Sequence, residues 1–215
     1  MTDLERALRR MAHDHDRAGA AADAFIDRAE REGLIDVAYA TVDAPVGTLL
    51  VAGTKRGLVR IAFGEHIPHD KVLLELAEDV SPRVLEAPAQ LDSIRRQLDE
   101  YFEGRRTEFE LLLDWSLSHG FGQRVLRHTA RIPYGRVSTY KTVAAAAGSP
   151  RGWRAAGNAL GANPIPIVVP CHRVLHSGGG LGGYGGGLER KEFLLRLEGS
   201  LTGKALRQAS RIGSR

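Results

Sequence analysis

Apolar positions recur at two periods along this chain, and the period depends on where one reads. Val37 to Asp43, Thr48 to Ala52 and Leu58 to Phe63 are short runs that partly alternate and are rich in valine and isoleucine, which predicts three strands. Thr54-Lys55-Arg56-Gly57 joins the last two as a hairpin, and Pro45-Val46-Gly47 reads as a turn. Elsewhere the period is helical. Met1 to Glu32 puts Leu4, Leu8 and Met11, then Ala22, Phe25, Ile26 and Ala29, at helix spacing, with Gly33 as the stop. Lys71 to Asp79 predicts a short helix, and Ala89 to Phe102 an amphipathic one with Leu91, Ile94, Leu98 and Tyr101 on one face. Glu108 to Leu113 predicts one more strand. This first half reads as a small α+β unit with no chemical constellation.

The pattern changes near Gly120. Gln123 to Arg131 predicts a helix closed by Pro133-Tyr134-Gly135, and Thr139 to Ala147 a second, ended by Gly148. Ser149 is expected to cap a third helix, with Pro150 in its first turn, running to about Leu160. The last two form a helix-turn-helix candidate, although plain helical hairpins share the pattern. Trp153, Ala156 and Leu160 share one face of the third helix, Arg154 and Asn158 another. Its glycines and alanines keep it slim, which suits either close packing on a helix or approach to a bulky partner such as a duplex.

Pro164 and Pro166 stiffen the apolar run Ile165 to Val169, which predicts an extended, rigid approach to Pro170-Cys171-His172-Arg173. On an extended segment Cys171 and His172 point to opposite sides, so proton transfer between them requires a turn or a bridging water. On local chemistry alone Cys171 reads equally as a buried structural thiol and as a reactive one activated by its polar neighbours. Ser177 to Gly187 is glycine-rich without a phosphate-loop lysine, and reads as a loop lining a pocket. Leu188 to Leu197 predicts a helix with Arg190, Lys191 and Glu192 solvated, closed by Gly199.

Composition narrows the classes. At 215 residues the chain suits one domain or two small ones. A single cysteine excludes an internal disulfide framework and a multi-cysteine zinc site, and points to a reducing, cytoplasmic setting. The net charge of +4 and a pI of about 9.4 lean toward a polyanionic partner. The charged start predicts no leader peptide, and no apolar run reaches membrane-spanning length. His13-Asp14-His15-Asp16 offers no closed ligand set, so neither metal nor cofactor is expected.

The block Asn163-Pro164-Ile165-Pro166-Ile167-Val168-Val169-Pro170-Cys171-His172-Arg173-Val174 resembles the active-site block of the O6-alkylguanine-DNA alkyltransferases, the methylated-DNA–protein-cysteine methyltransferases. The likeness spans about Phe121 to Gly199 and includes the helix pair and the run Gly183-Tyr184-Gly185-Gly186-Gly187-Leu188. It implies an α+β chain: an extension over 1–35, a small ribonuclease H-like sheet domain over 36–116, a mostly helical DNA-binding domain with a helix-turn-helix over 117–200, and a disordered basic tail over 201–215. It further implies DNA repair by direct damage reversal. Cys171 would take the alkyl group from guanine O6, and from O4-alkylthymine, once and irreversibly. His172 would activate it through a water, Glu198 would orient His172, and Asn163 would support the turn.

In the resemblance Arg154 enters the duplex in place of the flipped nucleotide, while Tyr140 turns the target phosphate and protonates guanine N3. Ser149 and Arg151 belong to the DNA-binding surface, in the minor groove. Leu160, Tyr184, the Val174 carbonyl and the Gly185 and Gly186 backbone surround the base. The partner would be double-stranded DNA carrying O6-alkylguanine, bound by a monomer, cytoplasmic and nucleoid-associated on DNA. Gly185 stands where some members carry a serine, which leaves only a backbone N–H for O6. A lesion-binding module without transfer would lack the cysteine, and a cysteine hydrolase would need a second histidine in a recognisable motif.

Overall fold

The computed structural model describes residues 24–26, 28–29 and 31–201. The expected helix through Leu4, Leu8 and Met11, the His13 to Asp16 run and the basic tail beyond Leu201 lie outside the described residues.

All three expected strands form, as β1 (Val37–Val42), β2 (Leu49–Thr54) and β3 (Gly57–Phe63). β2 is antiparallel to both neighbours, and β4 (Val84–Glu86), not foreseen, pairs parallel with β1, giving the order β3-β2-β1-β4. Alternation sorts the side chains onto two faces, with a bulge in the β2–β3 pairing at Val59 shifting the phase of β3. Val37, Leu50, Ala52, Val59 and Ala62 meet Val72 and Leu76 of α1 (His69–Asp79). Ala38, Ala40, Leu49, Val51, Leu58 and Ile61 face the main core, where a 3-10 turn (Pro88–Leu91) and α2 (Asp92–Phe102) supply Leu91, Ile94, Leu98 and Tyr101.

The expected strand over Glu108 to Leu113 does not form; a single parallel bridge, Leu58 to Leu113, takes its place. The Gln97 side chain explains part of this. Its amide accepts from the Glu110 N–H at 2.8 Å and donates to the Glu110 carbonyl at 3.3 Å, satisfying a backbone that would otherwise need a ladder.

The second half is mostly helical: α3 (Gly120–Thr129), α4 (Tyr140–Ala146), α5 (Trp153–Gly161) and α6 (Leu188–Leu197). Thr139 caps α4, accepting from Thr142 N–H at 3.1 Å. Ser149 does not cap α5. Ser149 to Gly152 is a tight turn closed by Gly152 N–H to the Ser149 carbonyl at 2.8 Å, and α5 starts at Trp153 with no side-chain cap. Pro150 disfavours helical geometry at Ser149, and proline second with glycine fourth suits a β-turn. A two-residue parallel pair, β5 (Ser138–Thr139) with β6 (Val174–Leu175), ties the start of α4 to the chain just past Cys171. Strands that short carry no readable period. A small sheet half followed by a helical half makes the chain α+β.

Candidate active site

The approach to Cys171 is coiled, not extended. Val168 N–H bonds the Pro166 carbonyl at 2.9 Å around Ile167, whose φ is 74°. Cys171 N–H bonds the Val169 carbonyl at 2.8 Å around Pro170, at φ −80° and ψ 64°. These are successive γ-turns, the first of the rare positive-φ kind. A positive φ at a β-branched residue is strained, and full burial of Ile165, Ile167 and Val169 holds it in place. Ile61 N–H of β3 also bonds the Pro164 carbonyl at 2.8 Å, anchoring the segment to the sheet. The chain then turns through Cys171–Arg173 as one 3-10 turn.

That turn sorts the polar groups. Asn163 Nδ2 donates to the Val169 carbonyl at 2.8 Å and to Cys171 Sγ at 3.1 Å, while its Oδ1 accepts from Ile165 N–H at 3.1 Å. His172 is fully buried with Nε2 2.9 Å from Glu198 Oε1. Arg173 clamps the same carboxylate, Nε to Oε2 and Nη2 to Oε1, each at 2.8 Å. Tyr101 from α2 donates to Oε1 at 2.7 Å. Burial pushes the Glu198 carboxyl up, but the hydrogen bonds from His172 and Arg173 outweigh it and hold the group at about 2. Burial lowers His172 below its usual range against the pull of Glu198, so the imidazole is neutral. An ionised carboxylate only accepts, so Nε2 carries the hydrogen and Nδ1 is the acceptor. Nδ1 is buried and has no hydrogen-bond partner among the described residues.

Lys191 corrects an expectation. The solvated face expected for it does not hold: it is fully buried, its ammonium donating to the carbonyls of Val174 at 2.8 Å, Leu181 and Gly183 at 3.3 Å. The signal was present: Lys191 sits three and four residues before Leu194 and Leu195, both fully buried, so it lies on the core stripe. Burial lowers the ammonium to about 8, against the attraction of Cys171. Arg190 is not free either; it donates to the Val46 carbonyl at 2.5 Å and the Gly186 carbonyl at 2.9 Å. Glu192 does pair at the surface, with Arg196 at 2.6 Å. The Cys171 thiol itself is pushed up by burial, opposed by the Asn163 hydrogen bond and the Lys191 charge.

Cys171 opens into a cleft of about 310 Å³. Leu160, Asn163, Pro166, Tyr184, Gly185 and Gly186 line it from the helical half. Phe63, His66 and Ile67 close it from the end of β3, a wall with no local signature in the sequence. Gly186 has no room for a side chain: a Cβ there would lie 2.5 Å from the Phe63 ring. At Gly185 a Cβ would meet the Gly161 carbonyl at 3.0 Å. Val174 and Tyr140 are not among the cleft-lining residues. Tyr140 packs against the glycine loop, its hydroxyl 3.4 Å from the Gly183 carbonyl and its ring 5.1 Å from that of His176, and burial with the nearby Cys171 charge raises its phenol.

On the outer face, Arg151 and Arg154 are exposed and Ser149 is half-buried. Trp153, which shares a face of α5 with the buried Ala156 and Leu160, is 38% exposed, and the Arg154 guanidinium lies over its ring at 4.6 Å. Gly161 has open space beside it and Gly157 makes only ordinary contact with Tyr140, so neither glycine serves close helix packing. Among the described residues no His/Cys/Asp/Glu group is placed to hold a metal, and no helix is long and apolar enough to cross a membrane.

Residues 120–200 match the family model of the 6-O-methylguanine DNA methyltransferase DNA-binding domain, and 37–115 that of the ribonuclease-like domain of the same proteins. A methylated-DNA–protein-cysteine methyltransferase of Methanosarcina barkeri is 39% identical over 160 residues, covering 74% of this chain and 96% of the relative. One from Mycolicibacterium paratuberculosis is 41% identical over 162 residues, covering 75% and 92%. The crystal structure of Mycobacterium tuberculosis O6-methylguanine methyltransferase superposes with a TM-score of 0.66 at 38% identity, over 77% of this chain and 94% of that one. The same organism's OGT in complex with DNA gives 0.64 at 38%, over 76% and 93%. With both halves of the chain and nearly the whole length of these relatives aligned, the chain belongs to the 6-O-methylguanine DNA methyltransferase family, the methylated-DNA–protein-cysteine methyltransferases.

Proposed function

We propose that this chain repairs DNA by moving the alkyl group of an O6-alkylguanine in double-stranded DNA onto Cys171 Sγ, one group per protein molecule. The observation that carries the reading is Cys171 at the floor of the cleft, its sulfur 3.1 Å from Asn163 Nδ2 and next to a histidine held by a buried carboxylate.

Burial keeps the resting thiol protonated, so the reaction needs a base. His172 Nδ1 takes the proton through a water, and Glu198 stabilises the imidazolium that forms. Asn163 and the Lys191 charge hold the thiolate. The sulfur attacks the alkyl carbon, the carbon–O6 bond breaks, and the electron pair leaves on guanine. Tyr140 gives guanine a proton at N3 and regains one from the imidazolium, so the thiol proton ends on the base. The product thioether does not revert, which limits each molecule to one event.

The O6 atom sits inside the base stack, so the nucleotide is flipped out at a cost of a few kcal/mol. Arg151 and Arg154 are exposed on the turn between α4 and α5 and on α5 itself, which supports a DNA-contacting α4–α5 pair in the minor groove, with Arg154 filling the vacated space and Tyr140 turning the phosphate. Leu160, Tyr184, Gly185 and Gly186 wall the flipped base. Lys191 donates to the Val174 carbonyl and fixes its orientation just behind the cleft. The same cleft accepts O4-alkylthymine, and the protein acts as a monomer, without cofactor.

The test is intact mass after incubation with a duplex containing O6-methylguanine. Wild type gains one methylene, located at Cys171, and Cys171→Ala gains none while still binding DNA. Transfer in Cys171→Ala would overturn the assignment.

A further inference from the structure

Among the described residues, Tyr101 is the one group from the sheet half that touches the Cys171 relay by hydrogen bond. It lies on α2, 97 residues from Glu198, is fully buried, and its hydroxyl donates to Glu198 Oε1 at 2.7 Å. As a core aromatic it packs on Phe102, Phe109 and Tyr134, at ring-centroid distances of 5.3, 5.2 and 6.2 Å. Phenylalanine would do that equally well. The hydroxyl is the extra feature, and it goes to the carboxylate oxygen that also holds His172 Nε2 at 2.9 Å.

We propose that Tyr101 is a positioning residue for the transfer reaction: its O–H shares the charge on Glu198 Oε1 and so sets how strongly Glu198 holds the His172 imidazole. The proposal rests on the reading of Cys171 and His172 given above. Oε1 accepts three donors, from Tyr101, His172 and Arg173 Nη2, while Oε2 accepts Arg173 Nε. Each donor withdraws some of the charge that the others feel. Removing the tyrosine O–H leaves that charge concentrated on the imidazole, which makes Nδ1 more basic.

The other ionisable groups facing the pair are few. Arg173 sits on the same carboxylate, and Cys171 is the next residue in the chain. Lys191 acts on His172 from α6. Tyr134 and Tyr184 feel the Glu198 charge from the α3–β5 loop and the glycine loop. None of these side chains is itself altered in Tyr101→Phe, and the wild-type phenol stays protonated because burial and the Glu198 charge both raise it.

The experiment compares full-length wild type with Tyr101→Phe in single-turnover transfer between about pH 5.5 and 9, on an O6-methylguanine duplex and on free O6-benzylguanine, with the His172 ring followed by NMR titration. The acid limb should move up by about half a pH unit on both substrates, in step with the His172 titration, while the affinity for an unmodified duplex is unchanged. Site-specific 3-fluorotyrosine at 101, a stronger donor of nearly the same volume, should move the limb the other way. It also serves should the phenylalanine variant not fold. A rate that falls equally at every pH, or a limb and His172 titration that stay put in either variant, makes Tyr101 structural and overturns the proposal. Wild type that fails to accept an alkyl group overturns the parent reading instead.

Discussion

Lys191 Nζ lies 2.8 Å from the carbonyl of Val174, three residues past Cys171, and ties α6 to the active-site turn. Lys191→Met keeps the stem and removes the charge and its donors. The cost of burying the charge and the loss of hydrogen bonds oppose each other in stability, so pH is the diagnostic. The folded ammonium titrates at about 8 and the unfolded one near 10.5, so between those values the unfolded chain binds more protons. Stability therefore rises with pH across that window in wild type, and the variant should lose the slope in denaturant titrations. Its Cys171 thiol should also titrate higher, because the charge that favours the thiolate is gone.

Glu198→Gln tests the carboxylate. Its folded value of about 2 lies below the usual 4.5, so the stability it contributes is complete above pH 4.5 and fades as pH falls toward 2. That amounts to roughly 3 kcal/mol at one pKa unit per 1.36 kcal/mol. The variant should lose stability at pH 7, having left Arg173 beside a neutral amide, yet change less than wild type between pH 5 and 3. Urea midpoints at the three pH values check this. Single-turnover transfer should slow across neutral pH with DNA affinity little changed; an unaltered rate would remove Glu198 from the relay.

Arg154→Ala separates the duplex from the chemistry. If the guanidinium fills the gap left by the flipped base, its loss removes part of a few kcal/mol. Transfer from duplex should slow roughly tenfold or more, and reaction with O6-benzylguanine should hold within about twofold. Equal losses on both would make Arg154 structural. Trp153, stacked under Arg154 and exposed, should change its fluorescence when duplex binds.

Gly186→Ala tests the far wall. The added methyl would overlap the Phe63 ring, which must shift or push the loop into the cleft. A cost of about 1–3 kcal/mol in stability is expected. Transfer should fall on duplex and free base together, the opposite of the Arg154 pattern.

Much of this protein was legible in the chain itself. Partial alternation placed β1 to β3, and an apolar stripe placed α2, because each rests on a period that one element satisfies alone. The block around Cys171 was legible for a similar reason: a turn that presents a thiol needs its residues in fixed order. Asn163 and His172 are eight and one positions away, and that turn places both side chains.

Tertiary structure decided whatever depends on a partner distant in sequence. Lys191 looked solvated because its own neighbours are charged, and only the carbonyls of the glycine loop and β6 make its burial tolerable. The stripe Trp153, Ala156 and Leu160 is visible in the spacing of α5, yet only packing decides that Ala156 and Leu160 are covered and Trp153 is left exposed. The Ile165 to Val169 run looked extended because prolines favour that locally, but burial of its side chains against the sheet repays the strain at Ile167. Glu198 could be matched to His172 by likeness to a family, whereas the Tyr101 hydroxyl on the same oxygen comes from the other half of the chain. A hydrogen bond across 97 residues leaves no periodic trace, because nothing in the spacing of either residue depends on the other until the two halves pack.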